Sequence, residues 1–353
     1  MRIGLVSGPW IPVPPETYGG TERVVDTLAR GFAAAGHEVL LAAPTGSRCP
    51  FPLVPGMRPA DYAGLGTSLS ELSHIVRAYE GLQDVDIIHD HTLAGPLYLH
   101  RPRGVPLAAT MHGPLNAQAA DIFRAIGRHG AVIAISRDQA SHAPDVPVTK
   151  VIHHGMDLSA VPVGTGRGGY LCFVGRACPD KGLLEAIGIA RAVGMHLKIA
   201  VKMREPDEVR FFRETVEPML GPNEDFVGEV DDAAKYRLMG EAVAFLNPIQ
   251  WSEPFGLVMI EALATGTPVV GTAVGSAPEI VRHGRTGFLG KTNDLAGFVP
   301  AAAALDRAAC RRDVEERFSA ARMVADHLQL YADLLETRPA GGVPEAVRVH
   351  QNR

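Results

Sequence analysis

The sequence lacks most of what would mark a disulfide-stapled, membrane-spanning or nucleic-acid-coating protein. Its four cysteines, at positions 49, 172, 178 and 310, show neither C-x-x-C pairing nor regular spacing. They read as reduced thiols of a cytoplasmic protein. No apolar run approaches the roughly 20 residues needed to cross a bilayer. The amino-terminal MRIGLVSGPW goes straight into a strand pattern, without the long apolar region of a signal peptide. A cytoplasmic chain with no transmembrane segment is expected, with peripheral membrane contact left open. Positive charge is not in excess either, since 34 Lys and Arg face 39 Asp and Glu for a formal net charge of -5. That argues against general nucleic-acid binding, which needs a basic surface, but leaves room for a local basic pocket.

What is present is 353 residues, 46% hydrophobic and 21% charged. That is more chain than one core usually organises, so two domains are expected. Strand patterns occur at 2–8, 37–44, 85–91, 106–113, 131–136 and 148–154. Between the first two, GTERVVDTLARGFAAAG puts Val24, Val25, Leu28 and Phe32 on one helical face, and Gly36 ends it. Strand, helix, strand at this length is a βαβ crossover, and it predicts a doubly wound parallel sheet. A Gly- and Pro-rich break at 158–169 reads as an interdomain linker. The pattern then restarts at 170–176, 196–202, 225–230, 243–249, 267–274 and 287–290, with a helix from Lys181 and another near 208–220. Two α/β domains are expected, 1–160 and 161–317. A helix at 318–337 would pack back toward the first, and 338–353 would form a flexible tail.

Two patterns mislead. GTGRGG (164–169) matches the dinucleotide-binding glycine fingerprint by letter, but that motif needs a strand before it and a helix after it. Here the strand follows, so a flexible linker is the better reading. In DVDIIHDH (84–91), His89 and His91 share a strand face, but a third metal ligand from the run is poorly placed. Asp84 and Asp86 sit at the strand's entry, whereas such sheets bind ligands beyond the carboxyl ends. No metal is expected, and His91 becomes a pocket-lining candidate, as does Ser136 at the end of another strand.

The remaining motifs do fall at carboxyl ends. YGGTER (18–23) places Gly19 and Gly20 before a helix whose free N–H groups suit an anion. HGP (112–114) follows a strand and offers His112. GRACPDKG (175–182) sets Arg176 and Lys181 around a turn, a reasonable pyrophosphate clamp. In SEPFGLVMIEALATGTPVV (252–270), Pro254 and Gly256 bend the chain into a helix. The N–H groups of Gly256, Leu257 and Val258 would be free there for a phosphate. Glu253 then lies before the phosphate and Glu261 beyond it, suiting the sugar and the ribose of a sugar–diphosphate–ribose ligand.

E-P-F-G-L-V-M-I-E resembles the E-x7-E motif of the retaining GT-B glycosyltransferases of family 4. YGGTER, HGP, IHHGMD (152–157), GRACPDKG and GTAVGSAPEIVRHGRTGFLG (271–290) resemble further motifs of that family in the same order. The resemblance implies two Rossmann-like domains facing a cleft. It also implies retaining sugar transfer from a nucleoside diphosphate sugar to a hydroxyl acceptor, with neither cofactor nor metal. By position, Arg176 and Lys181 would hold the diphosphate and Glu261 the ribose. Glu253 would contact the donor sugar, and His112 would lie beside the reacting sugar. Gly19 and Gly20 would border the diphosphate and acceptor, Val227 and Gly228 the base, and Phe255 would join Gly256, Leu257 and Val258 in the donor site. His154 stands where the family commonly has Asn, Ser276 replaces a glycine, and AVKMREPD (200–207) lacks another. A nucleotide-sugar 2-epimerase and a non-catalytic sugar-nucleotide-binding protein are the alternatives.

Overall fold

In the computed structural model, which describes residues 1–16 and 19–337, each half of the chain folds around its own parallel sheet. The first sheet contains β1 (Arg2–Val6), β2 (Glu38–Ala42), β3 (Ile87–Asp90), β4 (Leu107–Thr110), β5 (Ala131–Ala134) and β6 (Val148–Val151). Their order is β2-β1-β3-β4-β5-β6. The crossovers carry α1 (Gly20–Ala34), α2 (Ser68–Gly81), α3 (Ala117–Ile126) and α4 (Arg137–Ser141). Strands β3, β4 and β5 are buried along their whole length, as a parallel sheet covered on both faces requires. Val24, Val25, Leu28 and Phe32 of α1 all enter the core, as their spacing predicts.

The second sheet contains β7 (Tyr170–Arg176), β8 (His196–Lys202), β9 (Glu224–Phe226), β10 (Ala244–Asn247), β11 (Val269–Thr272) and β12 (Gly287–Gly290). Their order is β12-β11-β10-β7-β8-β9. Helices α5 (Leu183–Ala192), α6 (Pro206–Phe211), α7 (Asp232–Glu241), α8 (Leu257–Ala264), α9 (Ala277–Ile280), α10 (Leu295–Ala303) and α11 (Arg307–Arg317) complete this half. The helix expected near 208–220 is regular only to Phe211 and then loosens toward Pro218, which has no N–H to offer.

Each sheet has one point where strand order reverses, between β1 and β3 and between β7 and β10. Loops leaving those strands diverge to opposite faces and leave a crevice, the usual ligand position of such sheets. The last helix, α12 (Ala320–Glu336), returns to the first half. There Met323, Val324, Leu330 and Tyr331 join the core around Phe32 and Ile3. The glycine-rich segment 164–169 is not a loose linker. Its Gly164, Gly166 and Gly168 N–H groups donate to Thr265, Gly240 and Glu241 carbonyls at 2.8–3.0 Å, fastening it to the second half. The tail expected over 338–353 lies outside the described residues.

Candidate active site

The strand reversal of the second sheet places the two cations expected to clamp a diphosphate. Arg176 ends β7 and donates to Glu208 at 3.2 Å, with Glu205 at 3.9 Å. Lys181 sits in the turn before α5 and forms an ion pair with Glu253, in the loop after β10. Gly182 makes that meeting possible. Its φ is +74°, and a Cβ there would fall 1.9 Å from the Pro248 carbonyl oxygen. The second Glu253 oxygen, Oε2, is buried without a partner among the described residues. Gly256 caps α8, and the helix runs from Leu257, so the expected helix start is where the spacing put it. Phe255 does not offer its ring to open solvent. The ring is buried 5.0 Å from His154 and 6.0 Å from Phe318, centroid to centroid.

Glu261 is buried on α8 and accepts from Lys235 Nζ at 2.7 Å. Lys235 also lies 3.0 Å from Asp232, which in turn pairs with Arg23 of α1 across the cleft. Burial works against the Lys235 charge, but Glu261, Tyr236 and Asp232 outweigh it and hold its pKa above the ordinary lysine value. Sequence reasoning missed Lys235 and Asp232, because nothing local distinguishes them from surface charges of a helix. Val227 and Gly228 follow β9, and Val227 is exposed beside Lys198, Ala234 and Leu238.

On the first half, Gly20 opens α1 so close to α8 that a Cβ would stand 3.5 Å from Leu257 Cδ1. Gly19 fits its loop tightly, with Pro15 Cβ 2.7 Å and Glu22 Oε2 2.9 Å from where its own Cβ would be. Tyr18 lies outside the described residues. Burial raises Glu22 to about 7. Ser136, expected to line the pocket, is fully buried, and its hydroxyl accepts from the Gln139 N–H as the cap of α4. The hydroxyl is thus engaged in closing the helix start. His91 is buried too, and it reaches the site only through His112.

His112 belongs to a stack of imidazoles drawn from four separate segments. Ring centroids run from His327 on α12 to His89 at 5.2 Å, to His91 at 4.1 Å, to His112 at 5.1 Å and to His154 at 5.2 Å. Burial, reinforced by His327, lowers His112 to about 3, and burial likewise keeps the other four below the ordinary histidine value. The stack is therefore neutral near pH 7. The described residues contain no group of three or more His, Cys, Asp or Glu side chains placed to hold a metal ion. Asp86 accepts from the Arg2 N–H at 2.7 Å, at the opposite end of the sheet from the cleft.

Glu279 ties the two halves together. It accepts from the N–H groups of Arg137 and Asp138 at 3.0 and 2.8 Å and from His153 at 2.8 Å. Beside it, a cavity of about 180 Å³ is walled by Pro114, Asn116, Asp138 and His142 of the first half and Trp251 and Ser252 of the second. No described helix is long and apolar enough to cross a membrane.

Comparison with known proteins places these features. Residues 18–160 match the model for Glycosyltransferase Family 4, and residues 165–307 match that for Glycosyl transferases group 1. A phosphatidyl-myo-inositol mannosyltransferase of Mycolicibacterium smegmatis is 29% identical over 338 residues, covering 85% of this chain and 83% of that protein. The crystal structure of a glycosyltransferase involved in avilamycin A biosynthesis superposes with a TM-score of 0.70 at 27% identity, covering 95% of this chain and 98% of that one. An Anabaena protein in complex with UDP-glucose shares the fold, with a TM-score of 0.71 at 18% identity, covering 94% of this chain and 100% of that one.

Proposed function

The chain carries both domains of a GT-B glycosyltransferase, and we propose that it moves a sugar from a nucleoside diphosphate sugar to a hydroxyl acceptor with retention at the anomeric carbon. The observation that most supports this reading is the meeting of Lys181 with Glu253 at the strand reversal, one helix start away from Glu261. In the structure each site carboxylate is held by a lysine, Glu253 by Lys181 and Glu261 by Lys235. A donor exchanges those partners. Its diphosphate draws Lys181 and Arg176, its sugar hydroxyls donate to Glu253, and its ribose hydroxyls donate to Glu261.

Charge develops on the leaving diphosphate as the glycosidic bond breaks. Two cations and the start of α8 would stabilise it there without a metal ion. Among the described residues we assign no side chain of the site as nucleophile for a double displacement. A front-face route, in which the departing phosphate takes the acceptor proton, is the mechanism we favour. The acceptor would enter between the halves, where the cavity beside His142 and Trp251 opens.

The test is a thermal-shift series against UDP, GDP, ADP and dTDP, free and as sugar conjugates, with EDTA present. The Anabaena complex puts UDP first in that series. A ligand that binds only the folded chain adds about 2.7 kcal/mol at a hundredfold excess over its Kd. One nucleotide should raise the midpoint, and Glu261→Ala should abolish the effect. No shift from any of them, or a shift only when divalent metal replaces EDTA, would overturn the donor site or its metal independence, respectively.

A further inference from the structure

His112 has a partner that no family motif supplied. Its Nε2 lies 2.8 Å from Nδ1 of His91, which follows β3, so the two rings share a single hydrogen bond. Both rings are neutral, so one nitrogen of the pair carries the proton and the other accepts it. The surroundings decide which. His91 Nε2 is buried with no partner. If His91 Nδ1 accepted, the His91 proton would sit on that orphaned Nε2, leaving an unmatched buried donor. If His91 Nδ1 donates, the orphaned nitrogen holds only a lone pair. Unmatched buried N–H groups are the rarer defect in folded proteins, and each costs its full desolvation.

We propose that His91 is a positioning residue that fixes the tautomer of His112: His91 Nδ1–H donates to His112 Nε2, so His112 keeps its own proton on Nδ1 and presents it to the cleft. The rest of the stack holds His91 in place. His89 packs 4.1 Å from it, centroid to centroid, and His89 is itself fixed at both nitrogens, by Tyr331 at 2.6 Å and Thr110 at 2.7 Å. His327 must carry its proton on Nδ1, because that atom meets the Met323 carbonyl at 2.8 Å. On the other side, His154 stacks on His112 at an interplanar angle of 19° and keeps its ring from turning over. His112 is partly buried, and its Nδ1 has no partner among the described residues. His112 is therefore a hydrogen-bond donor to a substrate oxygen, and its Nε2 lone pair, already engaged, is closed to service as a base.

The consequence for sugar transfer rests on the function proposed above; the tautomer does not. The first readout is therefore the ring ¹⁵N shifts of His112 in the full chain, assigned by the signals lost in His112→Gln and read without any substrate. The wild type should show a protonated Nδ1 and a bare Nε2. His91→Asn can still donate from the position of Nδ1 and should keep that pattern. His91→Asp can only accept and should move the proton to Nε2. With transfer assayed in parallel, Asn should stay within about threefold of wild type. Leu and Asp should lose at least roughly tenfold in kcat, the scale of one lost hydrogen bond.

A wild-type proton on Nε2 would overturn the assignment. So would an Asp variant with an unmoved proton. Full turnover in the Leu variant would refute the positioning role even with the tautomer as proposed. An enzyme that transfers nothing from any donor would sink the function reading alone, since the ¹⁵N result decides the tautomer by itself. Should the Asp variant fail to fold, the contrast between Asn and Leu decides.

Discussion

At the scale of single residues, the proposed donor clamp is the part where chemistry is most local. Lys181 and Glu253 are each about 15% exposed and paired, so neither is a solvated surface charge, and each is available to a ligand that offers a better partner. Lys181→Ala removes one charge-assisted hydrogen bond, about 1.5–3 kcal/mol, from the leaving diphosphate. Turnover should fall roughly 10- to 150-fold with an unchanged far-UV spectrum, and kinetics close to wild type would remove Lys181 from the site. Lys181, Glu253 and Glu261 were legible in the sequence because each stands at a fixed offset from a strand end or a glycine. Lys235, which holds Glu261, was not. It sits on α7 with ordinary helical spacing, and only the packing of α7 beside α8 brings it 2.7 Å from the carboxylate. The cap role of Ser136 was not legible for the converse reason, because a strand-end hydroxyl looks the same whether it faces a ligand or caps the next helix.

Among the elements, strand positions were readable within a few residues, β8 at the very limits 196–202, because buried parallel strands are short β-branched runs bounded by turn residues. Contacts between elements were less readable, and α12 shows why. Its amphipathic pattern says that one face is buried but not against what. The answer lies in Gly31 of α1, where a Cβ would fall 2.2 Å from Val324 Cγ2. The two helices touch there at backbone range. In an exposed helix interior, Gly→Ala stabilises by about 1 kcal/mol. Here Gly31→Ala should instead destabilise by about 1–3 kcal/mol, the usual cost of overpacking. Val324→Ala in the same chain should recover part of that loss, because the methyl groups that clash are gone. Urea denaturation of the two single variants and the double variant measures the coupling. Strictly additive losses would mean that α12 does not sit on Gly31.

The molecule as a whole is held by polar contacts between its halves and by a neutral histidine stack that links α12 to the first sheet, and both make it sensitive to acid. Burial pushes Glu279 up, but its bonds from His153, Arg137 and Asp138 outweigh that and keep its pKa below the ordinary 4.5. A depressed carboxyl contributes stability above its unfolded pKa and loses it as pH falls through the folded value, so this tie weakens only below pH 4.5. The histidines act earlier. His74, His89, His91, His112, His154 and His327 all lie below the unfolded value of 6.5, with His74 and His327 near 4 and His112 near 3. The unfolded chain therefore binds protons below pH 6.5 that the folded chain refuses, and stability drops as pH falls. Two carboxyls oppose this. Burial raises Glu22 and Asp90 to about 7, so between their unfolded values and pH 7 the folded chain holds two protons that the unfolded chain has lost. The protons refused by the histidines outnumber the two that Glu22 and Asp90 retain near pH 5, so the net effect is a loss of stability as pH falls. Urea-derived stability should thus change little from pH 8 to 7 and fall steeply between 6 and 5, and His327→Phe, which keeps an aromatic ring in the stack but cannot take a proton, should make that fall shallower. A stability that stays level down to pH 5 would show that water reaches the stack and its imidazoles charge in place.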